Sequence, residues 1–165
     1  MNHIFIIMDL MEGGSLKELI INKYRKNNFT DLECSLIIKN ILEGLNYLQS
    51  LNIIHRDIKP DNIMFRYKND LNSLTICDFG FSKILDHEAE LNECGTLIFM
   101  APEQFKTLTG FSGDSWACGF IMYILCAGGL HPIYRNNMDS EDYLKQLKAM
   151  TQWSFPDDFP MYKIF

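Results

Sequence analysis

The thirteen residues from Ile53 to Phe65, IIHRDIKPDNIMF, constrain this chain more than any other stretch. Between the apolar ends, Asp57, Lys59 and Asn62 bring a carboxylate, a cation and a carboxamide within six residues. Polar groups beside apolar runs are costly to bury unless they bond to one another or to a ligand. The stretch therefore predicts a loop whose polar side chains form a catalytic or ligand-binding site.

The composition bounds the class of protein that can carry this loop. The chain has 165 residues, of which 47% are apolar and 22% charged, as expected for one globular domain with a core. A net charge of −6 argues against nucleic-acid binding and against anionic membranes. No apolar run reaches the roughly 18 residues of a membrane span. Five cysteines without C-x-x-C spacing argue against a zinc site and suggest reduced thiols in the cytoplasm.

The N-terminal region predicts a strand followed by a helix. Residues 3–8, HIFIIM, form an apolar run that predicts a buried strand. Gly13 and Gly14 then predict a turn. Ser15 is a suitable N-cap for a helix that runs to about residue 26.

The next helix has the clearest pattern in the chain. Thr30 and Glu33 have the spacing of a capping box, in which each side chain bonds the other residue's backbone amide. Apolar residues then recur on one helical face up to about Leu51: Ile37, Ile41, Leu45 and Leu48.

The remaining elements predict a mainly α fold with little sheet. Strands at about 63–66 and 74–77 flank a polar turn, which indicates a hairpin. Residues 78–112 are predicted to have no regular secondary structure. Helices are expected at about 114–126, apolar nearly all round and therefore buried, and at about 140–150.

The hairpin predicts a magnesium site. Asn62 precedes its first strand, and Asp78 follows its second strand. Carboxylate and carboxamide oxygens suit Mg²⁺, which takes few protein ligands and leaves the rest to phosphate and water. Asp57 can then serve as a base, and Lys59 can stabilise a phosphoryl group in transfer.

These motifs carry a family resemblance. The chain resembles the larger, C-terminal lobe of the eukaryotic protein kinases, and within them the calcium/calmodulin-dependent kinases. Four motifs match in the family's order: His55-Arg56-Asp57 with Asn62, Asp78-Phe79-Gly80, Ala101-Pro102-Glu103, and DSWACG from Asp114 to Gly119.

The resemblance implies a serine/threonine kinase that uses ATP and Mg²⁺. Asp57 would accept the proton of the substrate hydroxyl, and Lys59 would steady the γ-phosphate. Asn62 and Asp78 would hold magnesium. Lys59 and Thr96 are typical of kinases that act on serine and threonine of a protein substrate.

The resemblance also implies an adenine pocket. Met8 would gate the space behind the base. The stretch DLMEGG, residues 9–14, resembles the family's hinge, in which Asp9 and Met11 would bind the adenine through backbone groups. Leu16 and Met64 would pack beneath it.

The resemblance also implies an activation segment, which Ala101-Pro102-Glu103 closes. Arg56, Phe79, Gly80 and Thr96 match the family pattern, with His55 and Phe79 as stacking partners. Glu93, or else Glu90, is hypothesised to supply a fixed negative charge where many relatives carry a phosphorylated threonine.

The resemblance runs from the hinge strand to the helix near 140–150. Residues 1–165 are therefore expected to be a partial kinase domain without the N-terminal lobe and the last helices. Glu103 is then expected to be buried without its family arginine partner. A non-catalytic lobe that binds partner proteins remains the alternative function, and a small-molecule phosphotransferase is disfavoured. Calmodulin is a possible partner that no residue present supports.

Overall fold

A computed structural model describes residues 3, 5–24, 29–85, 94–105 and 110–149. The described part is rich in helix, with two small antiparallel sheets, as expected for a mainly α fold. The elements in chain order are α1 (Leu16–Tyr24), α2 (Asp31–Ser50), β1 (Ile53–Ile54), β2 (Ile63–Phe65), β3 (Leu74–Ile76), β4 (Lys83–Ile84), α3 (Phe111–Cys126) and α4 (Ser140–Ala149). No helix in these ranges is long and apolar enough to cross a membrane.

Both N-terminal helices begin at capping boxes. The Thr30 hydroxyl accepts from the Glu33 amide at 3.2 Å, and a Glu33 carboxylate oxygen accepts from the Thr30 amide at 2.9 Å. Ser15 and Glu18 make the same exchange, at 3.2 and 2.8 Å. An N-cap of this kind stabilises a helix by about 1 kcal/mol. Both predicted helix starts are confirmed.

The core forms where α2 packs against α3. The α2 residues Ile37, Ile41 and Leu48 are buried, and Leu45 is partly buried against the same cluster. Helix α3 buries residues around most of its circumference, as predicted, although it begins at Phe111, three residues before the expected start.

The predicted hairpin is present, and the N-terminal loop extends it. Strands β2 and β3 pair with Ile63 opposite Ile76 and Phe65 opposite Leu74. On the other side of β2, Gly13 donates to the Phe65 carbonyl at 2.9 Å and the Gly14 carbonyl accepts from Phe65 at 2.9 Å. The hairpin thus holds the chain before α1.

A second small sheet was not predicted. Ile53 pairs with Ile84, and Ile54 pairs with Lys83, in an antiparallel arrangement. Strands of two residues are too short to show a period in the sequence. The pairing joins the segment before Asp57 to the segment after Asp78.

The prediction of a buried strand at 3–8 is wrong. Residues 5–10 have no regular secondary structure, and Phe5 and Ile7 are 87% and 96% exposed. An apolar run becomes a buried strand only when neighbouring chain pairs with it and covers it. None of the described residues does so here.

The connection between α3 and α4 is organised around His131. Its Nε2 donates to the Ile98 carbonyl at 2.8 Å, because Nδ1 must accept from the Tyr134 and Ile133 amides at 2.8 and 3.1 Å. These contacts assign the neutral Nε2–H tautomer. Burial lowers the pKa of His131 to about 4.

Aromatic rings surround the His131 side chain, and α4 closes the region. The His131 ring lies edge-on to Phe99, Phe120 and Tyr143, with centroid distances between 4.9 and 6.0 Å. Helix α4 ends at Ala149, so the predicted helix is confirmed, and Met150 lies outside the described residues.

Candidate active site

Asp57 lies at the centre of the candidate site. The residue is 3% exposed, and both of its carboxylate oxygens accept hydrogen bonds. Oδ2 accepts from Lys59 Nζ at 2.6 Å and from Asn62 Nδ2 at 3.0 Å. Oδ1 accepts from the Thr96 hydroxyl at 2.7 Å and the Thr96 amide at 2.9 Å. The structure therefore brings four predicted residues into one network.

The network keeps Asp57 ionised. Burial by itself raises the pKa of Asp57. The bonds from Lys59, Thr96 and Asn62 outweigh burial and hold this pKa below its usual value. A hydrogen bond to a charged group such as this carboxylate is worth about 1.5–3 kcal/mol.

Lys59 joins Asp57 to the activation segment. Its ammonium group donates to the Thr96 hydroxyl at 2.8 Å as well as to Asp57. Gly95, just before Thr96, has φ +108°, and a Cβ there would collide with the Arg56 carbonyl oxygen. Only glycine allows this approach without strain.

Asp114 binds the backbone of the loop that leads into Asp57. This residue at the start of α3 is 5% exposed, and its carboxylate accepts from the His55 amide at 2.8 Å and the Arg56 amide at 2.9 Å. Arg56 has a left-handed backbone, with φ +69°. Burial raises the pKa of Asp114, and the two amide bonds partly offset this effect. Its two backbone bonds favour the Arg56 conformation that leads into Asp57.

Sequence reasoning placed Asp114 only in a helix and gave it no part in the candidate site. The signal for its role was an aspartate in the first turn of a helix that is otherwise apolar. A carboxylate at such a position needs buried donors. The sequence did not show that those donors are the amides of His55 and Arg56.

Asn62 and Asp78 lie at the same end of the hairpin. The Cys77 amide donates to the Asn62 carbonyl at 2.8 Å, so Asp78 directly follows a residue paired with Asn62. Asn62 uses its side-chain nitrogen to bond the Asp57 carbonyl and carboxylate, which leaves its oxygen available to a cation. Asp78 is exposed, with φ +63°, and one carboxylate oxygen accepts from the Gly80 amide at 3.2 Å. These hard oxygen donors fit Mg²⁺.

The rings of His55 and Phe79 are in contact, as expected. Their ring centroids are 5.0 Å apart in an edge-to-face arrangement. His55 is fully buried, and its Nε2 lies 3.0 Å from the Cys77 carbonyl oxygen. This contact connects the catalytic loop to the segment that carries Asp78.

The predictions for the other activation-segment residues are not all confirmed. Arg56 Nε donates to the Phe81 carbonyl at 2.5 Å, so its guanidinium reaches the segment that follows Gly80. Glu103 is exposed, so the expectation of a buried charge is wrong. The 3₁₀ turn Pro102–Phe105 leaves this carboxylate at the surface. Glu93 and Glu90 lie outside the described residues.

The residues expected around adenine differ in their exposure. Met8 is 81% exposed, and Asp9 forms an ion pair with Arg66 at 3.0 Å. Met11 is partly buried.

Leu16 and Met64 differ in what they could contact. Met64 is partly buried on β2, where its backbone bridges to Ser15. Leu16 is fully buried in the core at the start of α1. Leu16 has no exposed surface that an adenine ring could contact, so the expected contact is not supported.

Comparison with known proteins identifies the family. The family model described as "Protein kinase domain" matches residues 1–162. The chain belongs to the protein kinase family. Three similar proteins are a probable myosin light chain kinase of Dictyostelium discoideum, serine/threonine-protein kinase DCLK1 of Rattus norvegicus and calcium/calmodulin-dependent protein kinase cmkB of Emericella nidulans, at 34%, 34% and 35% identity.

The likeness covers most of this kinase chain and less of its relatives. The three alignments each cover 94% of the chain, but 50%, 35% and 37% of the respective relatives. The chain thus spans half or less of these proteins' length. The relatives confirm the resemblance to serine/threonine and calcium/calmodulin-dependent kinases that the motifs indicated.

Proposed function

We propose that the protein transfers the γ-phosphate of ATP to serine or threonine hydroxyls of a protein substrate, with Asp57 as the catalytic base. The observation that carries this proposal is the Asp57 network, in which Lys59, Asn62 and Thr96 all bond one buried carboxylate. Such a carboxylate is ionised and fixed in orientation before a substrate arrives.

Asp57 accepts a hydrogen bond from the incoming hydroxyl and then its proton. The Thr96 hydroxyl already donates to Oδ1 at 2.7 Å, which indicates that this oxygen suits an alcohol donor. A carboxylate with a lowered pKa is a weak base, so its main contribution is to orient the hydroxyl. The proton moves to Asp57 as the hydroxyl oxygen bonds to the γ-phosphorus of ATP, while the bond from that phosphorus to the β–γ bridging oxygen breaks and ADP leaves.

Lys59 and the proposed metal ligands act on the phosphate side. Lys59 lies within 2.8 Å of both Asp57 and Thr96, and its charge can stabilise the transferring group beside the hydroxyl. Asn62 and Asp78 would hold Mg²⁺ through their free oxygens. The ion, when bound, supplies positive charge that neutralises phosphate oxygens.

The preference for serine and threonine rests on Lys59 and Thr96 and on the names of the relatives. The two residues are in direct contact, with 2.8 Å between Lys59 Nζ and the Thr96 hydroxyl. Two relatives are named for calcium/calmodulin dependence or for serine/threonine phosphorylation. Calmodulin remains a possible partner of the whole protein.

The test replaces Asp57 with asparagine in the full-length protein and measures phosphate transfer from radiolabelled ATP to a mixed serine/threonine substrate. We expect the rate to fall by about 10²–10⁴-fold, the usual contribution of a positioned base. Asp61→Asn is the matched control, because Asp61 is an exposed carboxylate four residues away that pairs with Lys17 at 2.6 Å. The Asp61→Asn variant should transfer phosphate at the rate of the unmodified protein.

Equal rates for Asp57→Asn and Asp61→Asn would refute the assignment of the base. Inactivity of the unmodified full-length protein, with intact folding by circular dichroism, would favour the non-catalytic lobe. Phosphotyrosine among the products would refute the proposed substrate preference.

A further inference from the structure

The carbonyl oxygen of Ile98 accepts two side-chain hydrogen bonds from distant parts of the chain. His131 Nε2 donates to this oxygen at 2.8 Å, and the Tyr143 hydroxyl donates to it at 2.9 Å. These donors lie 33 and 45 positions away along the chain. A carbonyl oxygen has two lone pairs, so the two donors satisfy it fully. The α3–α4 connection and α4 are thereby both bonded to the activation segment at one atom.

Ile98 lies in the turn that follows the Asp57 network. This turn is the short 3₁₀ helix Leu97–Phe99, in which the Phe99 amide donates to the Thr96 carbonyl at 2.9 Å. Thr96 also donates to Asp57 through both its amide and its hydroxyl. Because the turn is so short, a shift of the Ile98 carbonyl would also move the residue that bonds the proposed base.

The side chains of Tyr143 and His131 are both fixed as donors. Tyr143 is 1% exposed, and burial raises the pKa of its hydroxyl, which therefore stays protonated. The His131 ring carries its hydrogen on Nε2, because Nδ1 accepts from two backbone amides. The two rings contact each other, with 6.0 Å between their centroids. Turning either side chain away from Ile98 would leave a donor unpaired within a cluster of aromatic rings, which is costly.

We infer that His131 and Tyr143 are positioning residues for phosphate transfer, which hold the Ile98 carbonyl and thereby keep Thr96 bonded to Asp57. This inference rests on the proposed function. Loss of either bond weakens the hold of Thr96 on Oδ1, the carboxylate oxygen that we expect to receive the substrate hydroxyl. The expected effect is a lower kcat with an unchanged KM for ATP, because the disturbance lies on the side of the base that faces the hydroxyl.

The first test is Tyr143→Phe in the full-length protein, which removes one donor and keeps the buried ring. The kcat for phosphate transfer from radiolabelled ATP should fall about 2- to 10-fold, as the loss of one neutral hydrogen bond predicts, with KM for ATP unchanged. Tyr134→Phe is the matched control, because it removes a hydroxyl from another ring beside His131 while Ile98 keeps both donors. The control should have the kcat of the unmodified protein.

Two variants of His131 separate positioning from a merely structural role. Glutamine carries its amide nitrogen the same number of bonds from Cα as Nε2, so it can still donate to Ile98. Asparagine carries its oxygen the same number of bonds from Cα as Nδ1, so it can accept from the Tyr134 amide but cannot reach Ile98. Both variants lose the aromatic ring. We expect the kcat of His131→Gln to exceed that of His131→Asn by about 2- to 10-fold.

Hydrogen exchange tests the same link without catalysis. In Tyr143→Phe, the amides of Thr96 and Phe99 should exchange about 2- to 10-fold faster, while the amides within α2 keep their rates. If the unmodified protein transfers no phosphate, the proposed function fails, and these exchange rates alone decide whether Tyr143 positions Thr96.

Several results would overturn the inference. Unchanged exchange at both amides in Tyr143→Phe would show that the hydroxyl does not hold the turn. In an active protein, an unchanged kcat for Tyr143→Phe, or an equal loss in Tyr134→Phe, would do the same for catalysis. A higher kcat for His131→Asn than for His131→Gln would assign His131 to its own local turn and not to Ile98.

Discussion

The His131 site predicts a loss of stability on mild acidification. The ring is held neutral because Nδ1 accepts from two backbone amides and burial opposes its charge. Protonation would place a hydrogen on Nδ1, which then could no longer accept from Tyr134 or Ile133. It would also place a cation beside Arg135, whose charge lowers the same pKa.

The magnitude follows from proton linkage. The pKa of His131 falls from 6.5 to about 4 on folding, so the unfolded chain binds this proton more readily between those values. The stabilisation is present above pH 6.5 and is lost as the pH falls toward 4. At 1.36 kcal/mol per pKa unit, folding loses about 2 kcal/mol between pH 7 and pH 5 and about 3 kcal/mol in all.

The assay is urea unfolding at 25 °C, carried out at several pH values between 7 and 5 on the protein and on His131→Asn. The variant should have a lower free energy of unfolding at pH 7, because the contacts of the His131 ring are lost. Between pH 7 and pH 5, however, it should lose about 2 kcal/mol less of that free energy than the unmodified protein does. His3→Asn, which changes an exposed histidine, should keep the original dependence. Asp114 has a raised pKa and acts in the opposite direction, but it is common to all three proteins and cancels. The same pH dependence for His131→Asn and the unmodified protein would refute the reasoning.

Three further predictions concern Gly95, Gly119 and Asp114. Gly95→Ala should destabilise the protein by about 1–3 kcal/mol in urea unfolding, because its Cβ would meet the Arg56 carbonyl in a left-handed backbone. Gly119→Ala should instead stabilise it by about 0.5–1 kcal/mol, since this helical position is exposed and a Cβ there meets nothing within 4 Å. Asp114→Ala should cost about 1–3 kcal/mol for each amide left without its acceptor, at His55 and Arg56, and thermal unfolding together with the phosphate-transfer rate would report both losses.

Local patterns predicted the helices and the hairpin well. The Thr30–Glu33 capping box and the apolar face of α2 lie within one stretch of sequence, and the structure shows both. The β2–β3 hairpin needs only two short strands and a polar turn between them. Such features depend on residues a few positions apart, so a single sequence contains their signals.

Features that join distant segments were not predicted. The β1–β4 pairing joins residues some 30 positions apart, and Asp114 bonds amides 58 and 59 positions away. The apolar run at 3–8 has the composition of a strand, but strand formation requires a pairing partner. Burial also depends on the whole fold, which explains why Leu16 is enclosed and Glu103 exposed.

The sequence by itself determined which groups the candidate site contains: a carboxylate, a lysine and a carboxamide in one loop, and a second carboxylate after the hairpin. Their order matches a family pattern because each type of side chain suits one part of phosphoryl transfer. Only the tertiary structure decided how these groups meet. Thr96 reaches Asp57 across 39 positions, and Asp114 fixes the loop beneath it. Hydrogen bonds between distant segments depend on the packing of the helices and sheets that carry them, which no local pattern specifies.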